Sequence, residues 1–391
     1  MIILGFSDNL WYNKTKLTEM RKLMRPLLKW PGGKAREIAQ IYGMIPDFDR
    51  YIEPFFGGGA LYFHLMPERA AINDTAADLM EFYHLVRMGD EEFRKCLTCY
   101  AESFRALLDY GRLHVTELLD VWSLLPNEED AADSLSMLME VWMPEIEAMF
   151  CHPIVLDTEK FRKELEDSLL DKLVRTKKNH VKKPFSPKDL AENLVTGLTS
   201  GYYLYFRSVY NDWNLGRITL TPGARTANFF FIRENCYGSM FRYNRNGEFN
   251  IPYGGMSYND KDFQNKVDAL FREETAKLFS GTDIQCMDFE KFIDEQTLTE
   301  HDFMFLDPPY DTEFSDYEGK AFTKLDQARL AVILSKTKAK FLLIIKNTPY
   351  IEDLYSKGFY IKRFDKQYTY NVRSRNDRAA EHLIITNYPT E

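Results

Sequence analysis

Asp307, Pro308, Pro309 and Tyr310 are the residues of this sequence best equipped for chemistry on a flat amino compound. The Asp307 carboxylate and the Pro308 carbonyl can each accept one N–H, while the Tyr310 ring can stack on a heterocycle. Neither proline has an N–H to donate and both hold the backbone rigid, so the segment cannot extend a sheet. It follows Phe303-Met304-Phe305-Leu306, an apolar run with the character of a strand buried on both faces. A stiff loop at the carboxyl end of such a strand is where open α/β sheets place ligands. As a lone feature, the same four residues also describe a strand-end turn with an aspartate cap.

Two glycine-rich stretches come earlier in the chain. Lys29-Trp30-Pro31-Gly32-Gly33-Lys34 leads into a helical pattern over 35–44. Its glycines admit a ligand to the backbone, and Lys34 can meet a carboxylate near a helix start. Arg50-Tyr51-Ile52-Glu53-Pro54-Phe55-Phe56-Gly57-Gly58-Gly59-Ala60 reads as strand, glycine loop and helix, the first βα turn of a nucleotide-type fold. It lacks the GxGxxG spacing of a dinucleotide binder, and no P-loop lysine follows. A second short strand at 70–72 ends in Asn73-Asp74. Asp74 stands about twenty residues beyond Glu53, where such folds put an acid on ribose hydroxyls.

A sizeable fold must position these groups. The 391 residues, 45% hydrophobic and 28% charged, leave room for a large core and two or three domains. A net charge of −9 argues against a wholesale nucleic-acid coat, so any such contact must come from local basic patches. Five cysteines are too few for a disulfide scaffold and suit a reducing cytoplasm. No apolar run reaches membrane-spanning length, and the polar first residues do not read as a signal peptide. Cys96 and Cys99 form a CxxC within a helical run, which reads as buried helix cysteines; no metal is expected.

The middle of the chain, from about 82 to 173, is amphipathic, helical and rich in acids. Between Asp171 and Lys188, seven basic residues face one acid, and Pro184 and Pro187 break the segment. It reads as an exposed linker, serving either as a solvated face or as an arm along phosphates. Asn246-Gly247 between two short β-like arms predicts a two-residue hairpin with left-handed φ at both turn positions. A ribbon carrying Arg242 can enter a major groove and pair with guanine. Further strands are expected at 341–347 and 382–387.

In chain order, the KWPGGK, EPFFGGGA, ND and DPPY motifs, ending at Lys34, Ala60, Asp74 and Tyr310, resemble those of the Dam-type, D12-class DNA adenine-N6 methyltransferases. The resemblance implies an α/β fold: a Rossmann-like sheet with one antiparallel strand and an inserted helical and β-hairpin target-recognition domain. It implies S-adenosylmethionine as cofactor, lined by Trp30, Gly32, Gly33 and Lys34 and by the loop of Glu53, Pro54, Phe55, Gly57 and Gly59. Asp74 would hold the ribose, Asp288 and Phe289 would flank the adenine, and Asp307 would also border the cofactor. Asp307, Pro308, Pro309 and Tyr310 would be catalytic, acting on an adenine flipped out of the duplex.

For the DNA, the same resemblance implies that Arg242 reads a guanine, with Met240 and Pro252 in apolar contact near bases and Tyr237 near the flipped nucleotide. Lys29, Arg207, Asn244, Asn250, Arg373 and Arg375 would complete the DNA contacts, mainly to phosphates. After Tyr237 the pattern departs: the usual Asn-Gly-Leu is Gly238-Ser239-Met240. The expected layout is an extension at 1–23, a catalytic domain from 24–100 and 276–391, a helical insertion with basic linker at 101–195, and a recognition domain at 196–275. The partner is double-stranded DNA, read at GATC or a related short guanine-containing site by a monomer or weak dimer. An RNA or protein amino-group methyltransferase and a non-enzymatic DNA-binding regulator are the alternative readings.

Overall fold

Five apolar runs in this chain alternate between two cores, and that alternation builds the sheet. The computed structural model of the protein describes residues 24–31, 37–240, 242–309, 322–367 and 379–390. Tyr51, Phe303, Phe305, Leu342 and Ile344 face one core. Ile52, Met304, Leu306, Leu343 and Ile345, their neighbours along the strands, face the other. Side chains that alternate with period two and are apolar on both sides are the mark of a sheet covered on both faces.

The strands are β1 (Arg50–Glu53), β2 (Ala70–Asn73), β3 (Thr282–Gln285), β4 (Asp302–Leu306), β5 (Lys340–Lys346), β6 (Tyr360–Gln367) and β7 (Ala379–Thr386). Their order across the sheet is β3-β2-β1-β4-β5-β7-β6. The first five pair in parallel. β7 runs antiparallel to both β5 and β6. The order reverses between β1 and β4, which opens a crevice at their carboxyl ends. Glu53 and Asp307 stand at those ends, so the glycine loop and the Asp-Pro-Pro corner are brought together from opposite thirds of the chain.

Between β2 and β3 the chain is helical. Glu91–Leu113, Val115–Leu124, Glu128–Glu147, Thr158–Lys182, Pro187–Asn214 and Pro222–Asn235 are its main helices. The expected boundaries at 100 and 195 both fall inside continuous helices, Glu91–Leu113 and Pro187–Asn214. Cys96 and Cys99 are buried on the helix Glu91–Leu113.

The basic run is not a linker. Thr158–Lys182 continues through it, and Ser186 then caps Pro187–Asn214, leaving a short turn between. Lysine and arginine are good helix formers, and no proline intervenes before Pro184, so charge alone gave no reason to break the helix. The two helices lie close because Gly197 and Gly201 face Leu165 and Leu169; a Cβ on Gly201 would come within 2.7 Å of the Glu164 carbonyl oxygen.

Candidate active site and nucleic-acid interface

The floor of the crevice is acidic. Glu53 is buried at the end of β1 and accepts a hydrogen bond from the Tyr51 hydroxyl at 2.7 Å. Burial raises its carboxyl well above the usual carboxylate range; the Tyr51 bond offsets part of that, and the charges of Asp307 and Asp74 add to it. Asp74 is also raised by burial, although backbone N–H groups hold its charge. One of its oxygens accepts from Gly57 N at 2.8 Å and the other from Ala76 N at 3.0 Å. Asp74 and Asp307 therefore both lie close enough for Glu53 to feel their charge.

The glycine loop sits over this floor and has little freedom. Gly57 and Gly59 both have positive φ, at 49° and 61°, which side chains rarely adopt. Trp30 closes the loop from above: a Cβ on Gly57 or Gly58 would meet its side chain at 3.0 or 3.2 Å. The buried Arg233 guanidinium stacks on the other part of the Trp30 ring, 4.1 Å from the centroid, and its Nε donates to the Lys29 carbonyl at 3.1 Å. The helix Pro222–Asn235 thereby holds the Lys29-Trp30 segment over the glycine loop.

Asn73 ties three strand ends together, a role that its place beside Asp74 does not announce. Its Nδ2 donates to the carbonyls of Pro54 and Met287, both at 3.0 Å, and its Oδ1 accepts from Met287 N at 2.9 Å. Beyond Met287, Asp288 caps the helix Phe289–Glu295 through Glu290 N. Phe55, Phe289 and Phe322 form a wedge there, with ring centroids 5.3 to 5.6 Å apart. Arg329 lies over Phe289 at 4.8 Å and donates to Asp288 at 2.6 Å, Glu290 and Asp326.

At the end of β4, Asp307 is partly exposed, Pro308 is buried and Pro309 is exposed. Gln327, itself fully buried, donates to the Pro309 carbonyl at 3.1 Å. It belongs to the helix Lys324–Lys336, whose start is fixed by a capping box between Thr323 and Asp326. The corner is thus braced by this helix, from outside the loop's own sequence neighbours. Gly32, Gly33, Lys34, Tyr310, Arg373 and Arg375 lie outside the described residues.

The expected DNA-reading segment forms an irregular ribbon rather than a regular hairpin. Its arms touch in isolated bridges, Cys236 with Tyr253 and Tyr243 with Phe249. The two-residue turn is not formed: of Asn246 and Gly247, only Gly247 has positive φ. The cause is Asn244, whose Oδ1 accepts from both Asn246 N and Glu248 N and so begins the turn two residues earlier.

One face of the helix Pro187–Asn214 holds the second arm. Tyr203 and Arg207 donate to the Ile251 carbonyl, Asn211 exchanges two bonds with Phe249, and Asn214 donates to the Gly247 carbonyl. Arg207, expected at a phosphate, is half-buried and committed to the ribbon. Tyr237, Met240, Arg242, Asn250 and Pro252 are exposed on it.

Parallel strands with one antiparallel partner, and a ligand crevice where the order reverses, define a Rossmann-like fold of the methyltransferase kind. A family model for the D12 class N6 adenine-specific DNA methyltransferases matches residues 30–108 and 168–370, and the chain belongs to that family. It is an adenine-specific DNA methyltransferase by class. The unmatched stretch holds the helices Val115–Leu124 and Glu128–Glu147 and the first turns of Thr158–Lys182.

The chain is 24% identical over 372 residues to the Type II methyltransferase M.CviBI of Paramecium bursaria Chlorella virus NC1A, covering 93% of this chain and 100% of that one. It is 26% identical over 385 residues to the Type II methyltransferase M.MjaIII of Methanocaldococcus jannaschii, covering 93% and 99%. A DNA adenine methylase of Vibrio cholerae is 24% identical over 321 residues, covering 81% and 78%. Among the described residues no helix is long and apolar enough to cross a membrane.

Proposed function

We propose that this protein transfers a methyl group from S-adenosylmethionine to N6 of an adenine in double-stranded DNA, in the cytoplasm of its host. The observation that carries the reading is the Asp307-Pro308 corner, set beside Glu53 and Asp74 at the point where the strand order reverses. The residues fit the cofactor. Clustered carboxyl groups suit its ribose hydroxyls, the Trp30 ring packed on the glycine loop offers it an apolar wall, and the Phe55–Phe289–Phe322 wedge suits its adenine. When bound, S-adenosylmethionine supplies an electrophilic methyl group on a sulfonium.

The chain's own task is to make a poor nucleophile competent. The adenine amino lone pair is delocalised into the ring, so the nitrogen is planar and weakly basic. Accepting one N–H at the Asp307 carboxylate and the other at the Pro308 carbonyl favours a more tetrahedral nitrogen, whose lone pair then points out of the ring plane. Gln327, through the Pro309 carbonyl, keeps the corner from drifting. Holding reactants in a near-attack geometry is worth several kcal/mol, and no covalent enzyme intermediate is needed. The base must leave the stack to reach this corner, at a cost of a few kcal/mol to the duplex.

The exposed ribbon residues, led by Arg242, would select a short guanine-containing site, with GATC the first to test. Incubation of the purified chain with tritiated S-adenosylmethionine and plasmid DNA should place label on N6-methyladenine, and modification mapping should return one short motif. Label on cytosine, on RNA, or on protein alone would overturn the reading.

A further inference from the structure

One helix, Ala77–Met88, is bonded both to the glycine loop and to the recognition segment. It begins just after Asp74, whose carboxylate accepts from Gly57 N at 2.8 Å and from Ala76 N at 3.0 Å. Farther along the helix, Tyr83 donates to the Gly57 carbonyl at 3.2 Å. On the recognition side, Asp78 in the first turn accepts from the Tyr210 hydroxyl at 3.1 Å. Tyr210 is buried on the helix Pro187–Asn214, and its hydroxyl oxygen lies 2.6 Å from that of Tyr243 on the ribbon. Glu81 of the same helix adds a pairing with Arg225 of Pro222–Asn235 at 3.4 Å.

The protons in this line have a direction. A phenol has one hydrogen to donate. Tyr210 gives its own to the Asp78 carboxylate, so Tyr243 donates to Tyr210. The bonds therefore run from the neighbour of Arg242, through Tyr210 and Asp78, to the turn that holds the glycine loop. Bonds in such a chain polarise one another, and a hydroxyl on a carboxylate makes one of the stronger kind. The ribbon has use for such an anchor, because its arms meet in isolated bridges, one of them at Tyr243.

We propose that Tyr210, held between Asp78 and Tyr243, is a positioning residue that makes cofactor binding and duplex binding favour one another. The proposal deepens the function given above and rests on it. A cofactor seated against Asp74 and the glycine loop orders the first turn of Ala77–Met88. The bonded line passes that order to Tyr243 and so to the arm that carries Arg242. A duplex that meets an ordered arm has less conformational entropy to remove, which is read as tighter binding. By linkage, the duplex must tighten the cofactor by the same factor.

The test measures each affinity on the full chain, alone and with the other ligand present. The ligands are a duplex carrying the motif that modification mapping returns and S-adenosylhomocysteine, which has no sulfonium methyl to transfer. Coupling between two sites amounts to about 5- to 150-fold, and the wild type should show a factor in that range, equal from either side. Tyr243→Phe keeps the ring and the Tyr210–Asp78 bond and removes the link to the ribbon. It should melt cooperatively and bind S-adenosylhomocysteine alone as the wild type does, while the coupling factor falls toward one. Tyr210→Phe should lose the coupling too, and the double variant should lose no more than either alone. Tyr203→Phe is the comparison: it removes a hydroxyl that holds the other arm at the Ile251 carbonyl and lies outside the line. It should weaken duplex binding and keep the factor. A wild type that binds both ligands without coupling overturns the proposal and leaves the function standing. So does a factor that survives in Tyr243→Phe, or one that Tyr203→Phe lowers as much, since the hydroxyls would then do no more than support the ribbon. A wild type that binds neither S-adenosylhomocysteine nor duplex overturns the function, and this proposal with it.

Discussion

Asp307 and Glu53 sit within reach of each other's field, and the two carboxylates have opposite tasks. Asp307 is partly exposed at the end of β4, where an incoming amino group would meet it. Replacing it with alanine removes a hydrogen-bond acceptor at the reacting atom and also relieves repulsion on Glu53. Asp307→Ala should therefore fold at least as stably as the wild type while losing roughly a hundred- to a thousand-fold in turnover, the scale seen when one preorganised polar group is removed. Single-turnover methyl transfer beside a thermal melt checks both halves; substantial residual turnover would remove Asp307 from the chemistry. Glu53 is buried and holds its proton more tightly than an unfolded glutamate would. The native state then binds more protons than the unfolded one above the ordinary glutamate range, so stability falls as pH rises toward the folded value. Glu53→Gln should erase that slope in urea midpoints measured across pH 5 to 8, and should reduce the stabilisation that S-adenosylmethionine gives. An unchanged slope would place the ionisation elsewhere.

Among the elements, the antiparallel pair Thr158–Lys182 and Pro187–Asn214 carries the ribbon, and its spacing depends on glycine. An alanine within a helix ordinarily gains up to about 1 kcal/mol over glycine. At Gly201 the added Cβ would meet backbone atoms of Glu164 and Leu165 at 2.7 Å. Backbone cannot step aside as a side-chain tip can, so the clash should win. Gly201→Ala should cost about 1–3 kcal/mol, read as a lower urea midpoint with no change in slope. A gain in stability would mean that the helices are free to part. This pair also marks what the sequence could and could not disclose. The sheet was legible because its strands are apolar on both faces and end in glycine or proline loops, and the place of Asp307 at a strand's carboxyl end was legible because two prolines cannot continue the apolar run before them. The bracing contacts were not. Asn73, Gln327 and Asn211 act through carbonyls contributed by segments far away in the chain, and nothing in a polar residue's immediate neighbours says which distant backbone it will meet. The Asn246-Gly247 turn misled for a related reason: the side chain of Asn244 competes for the same backbone N–H groups.

Taken whole, the molecule carries a net charge of −9 and must still approach a polyanion. Long-range attraction cannot deliver that, so recognition has to rest on short-range contacts from exposed basic groups held in fixed positions. Arg242 meets the requirement. Its backbone carbonyl accepts from Asn250 N across the ribbon, while its side chain is exposed. The arm opposite is pinned by Tyr203, Arg207 and Asn211, so the guanidinium is presented from a braced support and not from a loose loop. Truncating an exposed arginine leaves no buried partner behind, and Arg242→Ala should melt like the wild type. If the side chain pairs with a guanine edge, its loss should shrink the preference for that base pair by about 1–3 kcal/mol, roughly five- to 150-fold in relative kcat/KM. The measurement is kcat/KM on duplexes in which each base pair of the modified site is replaced in turn. A phosphate contact would instead weaken every duplex alike and lower the salt slope. Selective relaxation at one guanine in Arg242→Ala, with the salt slope unchanged, would place the guanidinium on a base edge and not on the backbone.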